Sequence, residues 1–211
     1  MLPAVVAGCA RALDQVEYRI DHKTLTLANS DLEQYGIGFL TPAAATGREA
    51  DKQALALSFS RQLEQARPGV KVVPLPSILS KVNAADLDQQ YKRMYRDYLE
   101  TGILEGSILQ RLGEVGEVRY LAQLSLADFT QGSRGRFSFL GLRLVDTKQA
   151  SMRVFIQIWD SQTGAVAWEG SAELNYAYES AAENPAPFLE ASSLAARRLF
   201  ADLPGAATSK K

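Results

Sequence analysis

Apolar side chains recur at every second residue through Met152, Val154, Ile156 and Ile158, and again through Val166, Trp168, Ala172, Leu174, Tyr176 and Tyr178. A repeat of two puts those side chains on one face of an extended chain, whereas a helix would scatter them around its axis. The opposite parity holds Glu169, Ser171, Glu173, Asn175 and Glu179, so one face meets a core and the other meets water. Phe137 with Phe139, and Leu142 with Leu144, begin the same pattern. Between the two longest runs, Asp160-Ser161-Gln162-Thr163-Gly164 offers an Asx-type start and a glycine for positive φ, which predicts a hairpin. Strands joined by such turns need no helical crossover, so the second half of the chain reads as an antiparallel meander.

The first half alternates short apolar runs with helical repeats. Tyr35-Gly36-Ile37-Gly38-Phe39-Leu40 reads as a core strand stopped by Pro42, which has no N–H to continue a ladder. Thr46-Gly47-Arg48-Glu49 matches a capping box and predicts a helix over about 48–66, with Leu55, Phe59 and Leu63 on one face and Pro68-Gly69 ending it. Val70 to Leu75 reads as a second strand, confined by Pro74 to an edge or exit. Asn83 is placed to cap a helix through Thr101, on which Tyr91, Met94, Tyr95 and Tyr98 form a stripe read as core packing in preference to a ligand box. A shorter helix over Glu105–Leu112 is expected to end at Gly113, with Gly113-Glu114-Val115-Gly116 as a loop and Val118–Leu126 as the third strand. Pro185 and Pro187 precede a last helix whose apolar face collects Phe188, Leu189, Ala195, Leu199 and Leu203.

Strands separated by helices pair in parallel, so the expected fold is a single α/β (α+β) domain. Its sheet is mixed, parallel in the first half and antiparallel in the carboxyl-terminal meander, and flanked by helices. The expected boundaries are 1–8 as the remnant of a lipoprotein signal peptide, 9–30 as a tether or weak strand pair, 31–204 as the domain and 205–211 as a polar tail. In the second of these segments Val16, Tyr18 and Ile20 alternate with charged residues, and Leu25 and Leu27 follow.

The amino terminus carries a second kind of information. Val6-Ala7-Gly8-Cys9 fits a lipobox, in which an aliphatic residue and two small ones precede a cysteine that is acylated. No Lys or Arg precedes Arg11, although a signal peptide needs a basic region ahead of its apolar run. Two readings stay open: a start further upstream that completes the signal peptide, with lipid on Cys9, or an ordinary amino terminus with a buried thiol. The chain has one cysteine, so it forms no internal disulfide, and no Cys/His cluster suits zinc. No apolar run approaches the ~20 residues of a membrane-spanning helix, so membrane attachment is expected only through Cys9.

Charge and chemistry exclude more than they select. Lys plus Arg number 23 against 24 for Asp plus Glu, which gives neither the basic stripe of a nucleic-acid binder nor an acidic tail. His22, the one histidine, lies in the weakly patterned amino-terminal segment and reads as a surface turn residue. Gly36-Ile37-Gly38 lacks the third glycine and following helix of a dinucleotide fingerprint, and no phosphate-cradling Gly-Lys-Ser/Thr loop is present. The carboxylate pairs Asp86/Asp88 and Glu114/Glu117 read as solvated surface charge, and Arg134 and Arg136 as the basic tip of a loop over 130–136. No catalytic residue, cofactor or metal is therefore expected.

Two segments carry a resemblance. Leu109-Gln110-Arg111-Leu112-Gly113, leading through Glu117-Val118-Arg119-Tyr120-Leu121, resembles the helix-to-strand signature of the anticodon-binding-like periplasmic domains. Ile158 to Trp168, with its Asp-x-x-Thr-Gly turn and closing tryptophan, is similar to the hairpin of the same group. That group includes the curli-secretion channel lipoprotein, lipoprotein activators of penicillin-binding proteins, exopolysaccharide-export lipoproteins and the amino-terminal domain of TolB. A propeller would repeat the hairpin several times, and this sequence holds one. The resemblance implies a non-enzymatic outer-membrane lipoprotein, a periplasmic scaffold or accessory subunit in envelope biogenesis or export. Its partners would be envelope proteins and further copies of itself, not nucleic acid. No membrane-inserting amphipathic hairpin is evident. The competing expectation is a soluble periplasmic enzyme or a small-ligand or glycan binder, with a cleft near Gly102 or Arg134.

Overall fold

The computed structural model describes residues 15–45, 48–139, 142–180 and 188–205. Along the chain run β1 (Gln15–Thr24), α1 (Asp31–Tyr35), β2 (Ile37–Phe39), β3 (Ala43–Ala44), α2 (Glu49–Ala66), β4 (Val72–Val73) and α3 (Leu75–Ala84). They are followed by α4 (Asp88–Thr101), α5 (Gly106–Gly116), β5 (Tyr120–Phe139), β6 (Leu142–Asp160), β7 (Ala165–Ser180) and α6 (Phe188–Ala201). The sheet has the order β1-β7-β6-β5-β2-β4, with β3 beside β5. Strands β2, β3, β4 and the start of β5 pair in parallel, and β5, β6, β7 and β1 pair antiparallel. The mixed sheet with flanking helices is the expected fold class.

Two layers of helix bury two cores. On one face, Leu55, Phe59 and Leu63 of α2 and Ala195, Leu199 and Phe200 of α6 cover Phe39, Tyr120, Leu124, Val154, Ile156 and Trp168. The rings of Phe59 and Phe200 meet edge to face at 5.6 Å. On the other face, Ile78, Val82, Tyr91, Met94, Ile108 and Leu112 of α3 to α5 enclose Leu40, Val73, Leu121 and Trp159. This second layer sits over the β4-β2-β5 side. Beyond it, Arg153, Phe155 and Gln157 of β6, Glu169, Ser171 and Glu173 of β7 and Glu17, Arg19, Asp21 and Lys23 of β1 are half-buried or exposed.

Several boundaries differ from expectation, each for a local reason. Residues 15–24, expected as a tether or one half of a strand pair, are a single strand in full register with β7, from Gln15↔Ala177 to Thr24↔Trp168. The amides of Leu25, Thr26 and Leu27 then all point to the Ala167 carbonyl, and Leu27 is buried. The Tyr35–Leu40 strand shrinks to Ile37–Phe39 because Tyr35 ends α1 and Gly36 turns the chain at φ +69°. Val70–Leu75 shrinks to Val72–Val73, since Pro74 is extended and Leu75-Pro76 opens α3, where a missing N–H costs nothing. Asn83 therefore lies in the last turn of α3 and caps nothing, and Asp86 at φ 55° separates α3 from α4. Helix α2 begins at Glu49 as expected, while Thr46 and Gly47 of the capping box lie outside the described residues.

Strands β5 and β6 run for 20 and 19 residues and form one long hairpin, which the sequence reading did not contain. Arg134 is paired with Thr147 inside this ladder, so 130–136 is strand and not a loop. Bulges in the β5–β6 and β6–β7 ladders re-aim side chains. One at Ala127 moves the core-facing parity from Leu126 to Phe129, whose ring packs edge to face on Phe188 at 4.8 Å. Another, between the Ile158↔Trp168 and Trp159↔Val166 pairs, turns Val166 to the second core, although it had read as sharing a face with Trp168.

Gly113 does not end a helix. Helix α5 runs through it to Gly116, and Glu117 in the left-handed region makes the stop. A Cβ at Gly113 would lie 2.3 Å from Ser161 Oγ and 2.9 Å from the Val118 carbonyl oxygen, so the glycine lets α5 touch the β6–β7 turn. Alanine is favoured by about 1 kcal/mol inside a helix, yet overpacking against backbone costs about 1–3 kcal/mol. Gly113→Ala is thus expected to destabilise by up to about 2 kcal/mol, read as a lowered urea midpoint at unchanged slope.

Candidate functional site

The uncovered part of the sheet forms a groove of about 620 Å³. Its floor is built from alternate residues of four adjacent strands: Gln123 and Ser125 on β5, Phe155 and Gln157 on β6, Glu169 and Ser171 on β7, and Asp21 and Lys23 on β1. Tyr98 and Gly102, at the end of α4, form the wall. Register explains the assembly, because the period of two that buries Ile156 and Trp168 presents Phe155 and Glu169 to the open side. Gln123 is only 1% exposed, and its amide donates to the carbonyls of Thr41 and Leu124, both at 3.0 Å. Phe155 on the floor is 44% exposed, and Leu99 and Ile103, next in the chain to Tyr98 and Gly102, are 56% and 64% exposed.

The tyrosines of α4 hold this wall against the sheet. The Tyr91 hydroxyl accepts from the Thr41 amide at 2.8 Å and donates to Thr41 Oγ1 at 2.9 Å. Tyr95 donates to the Pro42 carbonyl at 2.9 Å, and Tyr98 lies 3.5 Å from Gln157 Oε1. Burial pushes the Tyr91 and Tyr98 phenols up, and the neighbouring Tyr95 adds to the rise, so both stay protonated donors. Tyr91 and Met94 are buried core, as the stripe implied. Tyr98 is shared between packing and groove, which the spacing alone did not show.

The other sequence-selected residues are scattered. His22 is mid-strand on β1 and not in a turn; its ring stacks on Trp168 at 6.3 Å and Nδ1 lies 3.7 Å from Asp202 Oδ2. Glu117 pairs with Lys71 at 2.9 Å and Lys81 at 3.4 Å, and these ammonium groups hold its carboxyl below the usual range. Glu114 accepts from Gln110 within α5 at 3.3 Å. Asp86 and Asp88 flank the α3–α4 turn. Gly102, near which a cleft was expected, does border the groove. Arg134 and Arg136 lie on β5, and Cys9 lies outside the described residues. Among the described residues, no group of three or more His, Cys, Asp or Glu side chains is placed to hold a metal. No helix among them is long and apolar enough to cross a membrane.

Arg119 and Asp160 form a two-pronged, part-buried ion pair. The guanidinium donates to both carboxylate oxygens at 3.0 and 2.7 Å, and Asp160 Oδ1 also accepts from the Gln162 amide at 3.0 Å. The guanidinium lies 5.1 Å from the Tyr35 ring and 5.5 Å from the Tyr120 ring. Hydrogen bonding to Arg119 pulls the Asp160 carboxyl down against the opposing effect of burial. This clamp ties α1, β5 and the β6–β7 turn together.

No family model and no curated protein matches the chain. Solved structures resemble it over long stretches. A PelC dodecamer from Paraburkholderia phytofirmans aligns over 92% of this chain and 100% of its own, at 10% identity and a TM-score of 0.49. Lipoprotein GNA1162 from Neisseria meningitidis aligns over 71% of this chain and 87% of its own, at 14% identity and a TM-score of 0.39. At these identities, and with TM-scores under 0.5, the likeness is one of chain course, and no function passes with it.

Proposed function

We propose that the protein is an outer-membrane lipoprotein, anchored through Cys9, that serves as a periplasmic scaffold or accessory subunit in envelope biogenesis or export. It grips a macromolecule and performs no chemistry on it. The observation that carries this reading is the groove on the open sheet face, where Phe155 leaves apolar surface in water on a floor of amides and hydroxyls, while Leu99 and Ile103, the chain neighbours of the lining residues Tyr98 and Gly102, are exposed as well. Large apolar side chains gathered in this way mark surfaces that another molecule covers. The lipobox at Cys9 supports the location.

Two measurements test the reading in a bacterial host carrying the gene with its upstream region. Mass spectrometry of the mature amino terminus is expected to find a diacylglyceryl thioether on Cys9. Cys9→Ala is expected to move nearly all of the protein from the membrane to the soluble fraction, because each buried lipid methylene contributes about 0.8 kcal/mol. An unacylated terminus in the soluble fraction would remove the anchor. A photo-crosslinker placed at Phe155 is expected to trap a discrete envelope protein, while one at the exposed Glu64 of α2 traps none; equal or absent trapping would remove the scaffold role.

The same groove favours a second reading as a glycan binder. Phe155 presents an exposed ring beside Gln157, Gln123, Ser125 and Ser171, a set that suits the apolar faces and hydroxyls of a sugar. It requires saturable oligosaccharide binding by titration calorimetry that is lost in Phe155→Ala.

A further inference from the structure

Strand β1 is an edge of the sheet, paired with β7 on one side and with nothing among the described residues on the other. From Val16 to Thr24 its residues are half-buried or exposed. On the helix side it presents Val16, Tyr18, Ile20 and His22. Val16 and Ile20 lean on the first core, and Tyr18 is 47% exposed with the Arg198 guanidinium 4.2 Å from its ring. On the open side it presents Glu17, Arg19, Asp21 and Lys23, alternating in sign. None of these four is in an ion pair within 4.0 Å among the described residues. Unpaired edges are templates for another strand, and proteins ordinarily guard them with charged side chains, most often Lys, with Pro or with bulges. Here the charges are arranged differently.

We propose that β1 pairs antiparallel with β1 of a second copy about a two-fold axis through Ile20, extending the sheet across a homodimer. The inference stands apart from the lipid anchor, but it shares Asp21 and Lys23 with the floor of the groove. In an antiparallel pair, directly opposed residues share a face, and a two-fold axis makes every contact occur twice. With Ile20 opposite its own copy, Glu17 faces Lys23 and Arg19 faces Asp21, each in both directions, so all four charges on each strand meet an opposite charge. On the helix side Tyr18 then faces His22, an aromatic pair.

No neighbouring register does this. A slip that centres the axis on Arg19 sets Arg19 against itself and Glu17 against Asp21. One centred on Asp21 sets Asp21 against itself and Arg19 against Lys23. Slips that bring odd residues opposite even ones place the charged face against the core face. A two-fold axis along the strands, which would pair them in parallel, turns the open face of one copy to the helix side of the other and so sets the charged face against the core face. The alternation therefore selects one partner, one orientation and one register.

Sedimentation of the full chain under reducing conditions, so that Cys9 makes no link, tests this. A reversible dimer of twice the 23.0 kDa chain mass is expected, weakening as salt is raised. Arg19→Glu and Asp21→Arg each convert two attractive pairs to repulsive ones and are expected to raise the dimer Kd by about tenfold or more. The double variant R19E/D21R restores opposite charge at every position and is expected to return the Kd to within about threefold of the parent. In the double variant Glu173 of β7 still faces the reversed charge at position 19, so recovery separates the interface from any effect on folding. A chain that is monomeric at all concentrations would overturn the proposal, making the charges simple edge guards. So would an oligomer indifferent to both single reversals, or a double variant no better than the singles.

Discussion

Asp160→Ala is expected to lower the unfolding free energy by about 3 kcal/mol, the lower end of the range for breaking a buried ion pair. Asp160 is buried, whereas Arg119 keeps about a quarter of its side chain in water, so solvent tempers the loss. The substitution removes both guanidinium bonds and the acceptor that holds the Gln162 amide at the start of the turn. Asp160→Asn keeps an Oδ1 acceptor for the Gln162 amide and Arg119 Nε but loses the charge and the Oδ2 acceptor for Arg119 Nη2, so a smaller loss than with alanine is expected. Chemical denaturation at neutral pH measures both.

The pair also has a sign in pH. Arg119 lowers the Asp160 carboxyl in the folded state relative to the unfolded chain, so the folded state binds this proton less readily. The stabilisation is therefore complete above the unfolded value of about 3.9 and is lost as pH falls through the lower folded value. The difference in stability between the parent and Asp160→Ala should be constant from about pH 5 to 7 and shrink below about pH 4. A difference that holds steady to the bottom of the acid range would show that the clamp acts by packing and not by charge.

Phe59→Ala is expected to cost roughly 4 kcal/mol, within the range for a large core side chain replaced by a small one. Phe59 is fully buried on α2, and its ring meets Phe200 of α6 edge to face. The contact joins two helices that enter the fold at opposite ends of the chain, so the void opens under both. Phe59→Leu, which keeps most of the volume, should cost about 1.5 kcal/mol or less. Urea titration of the two variants checks the ratio; equal losses would mean that the aromatic contact, and not the cavity, dominates.

Much of this architecture was legible because its causes are local. The Asp160–Gly164 turn follows from an Asx acceptor and a glycine at φ +69°, both visible in five residues. Helices α2 and α4 follow from apolar faces at helical spacing. The two segments that carried the family resemblance meet in space, since Arg119 of one grips Asp160 of the other. Nothing in either segment alone indicates that pairing, because it depends on β5 and β6 being neighbours. A cleft beside Gly102 was expected, but the floor of the groove was hidden for the same reason: it draws two residues from each of four strands, each an unremarkable polar or aromatic position in its own run.

Side-chain period and turn chemistry were enough to assign the mixed sheet, its parallel and antiparallel halves and helices α2, α4, α5 and α6, but not α1 or α3, since both signals act within a few residues of chain. Neighbourhood was left to the folded body. Residues 15–24 are a strand because β7 lies beside them, and an isolated stretch with the same alternation is equally a tether. Bulges at Ala127 and near Val166 moved core-facing parity by one residue without any compositional mark. Gly113 looks like a helix stop and serves instead as a point of contact for Ser161, since a missing Cβ permits either use and distant packing selects between them.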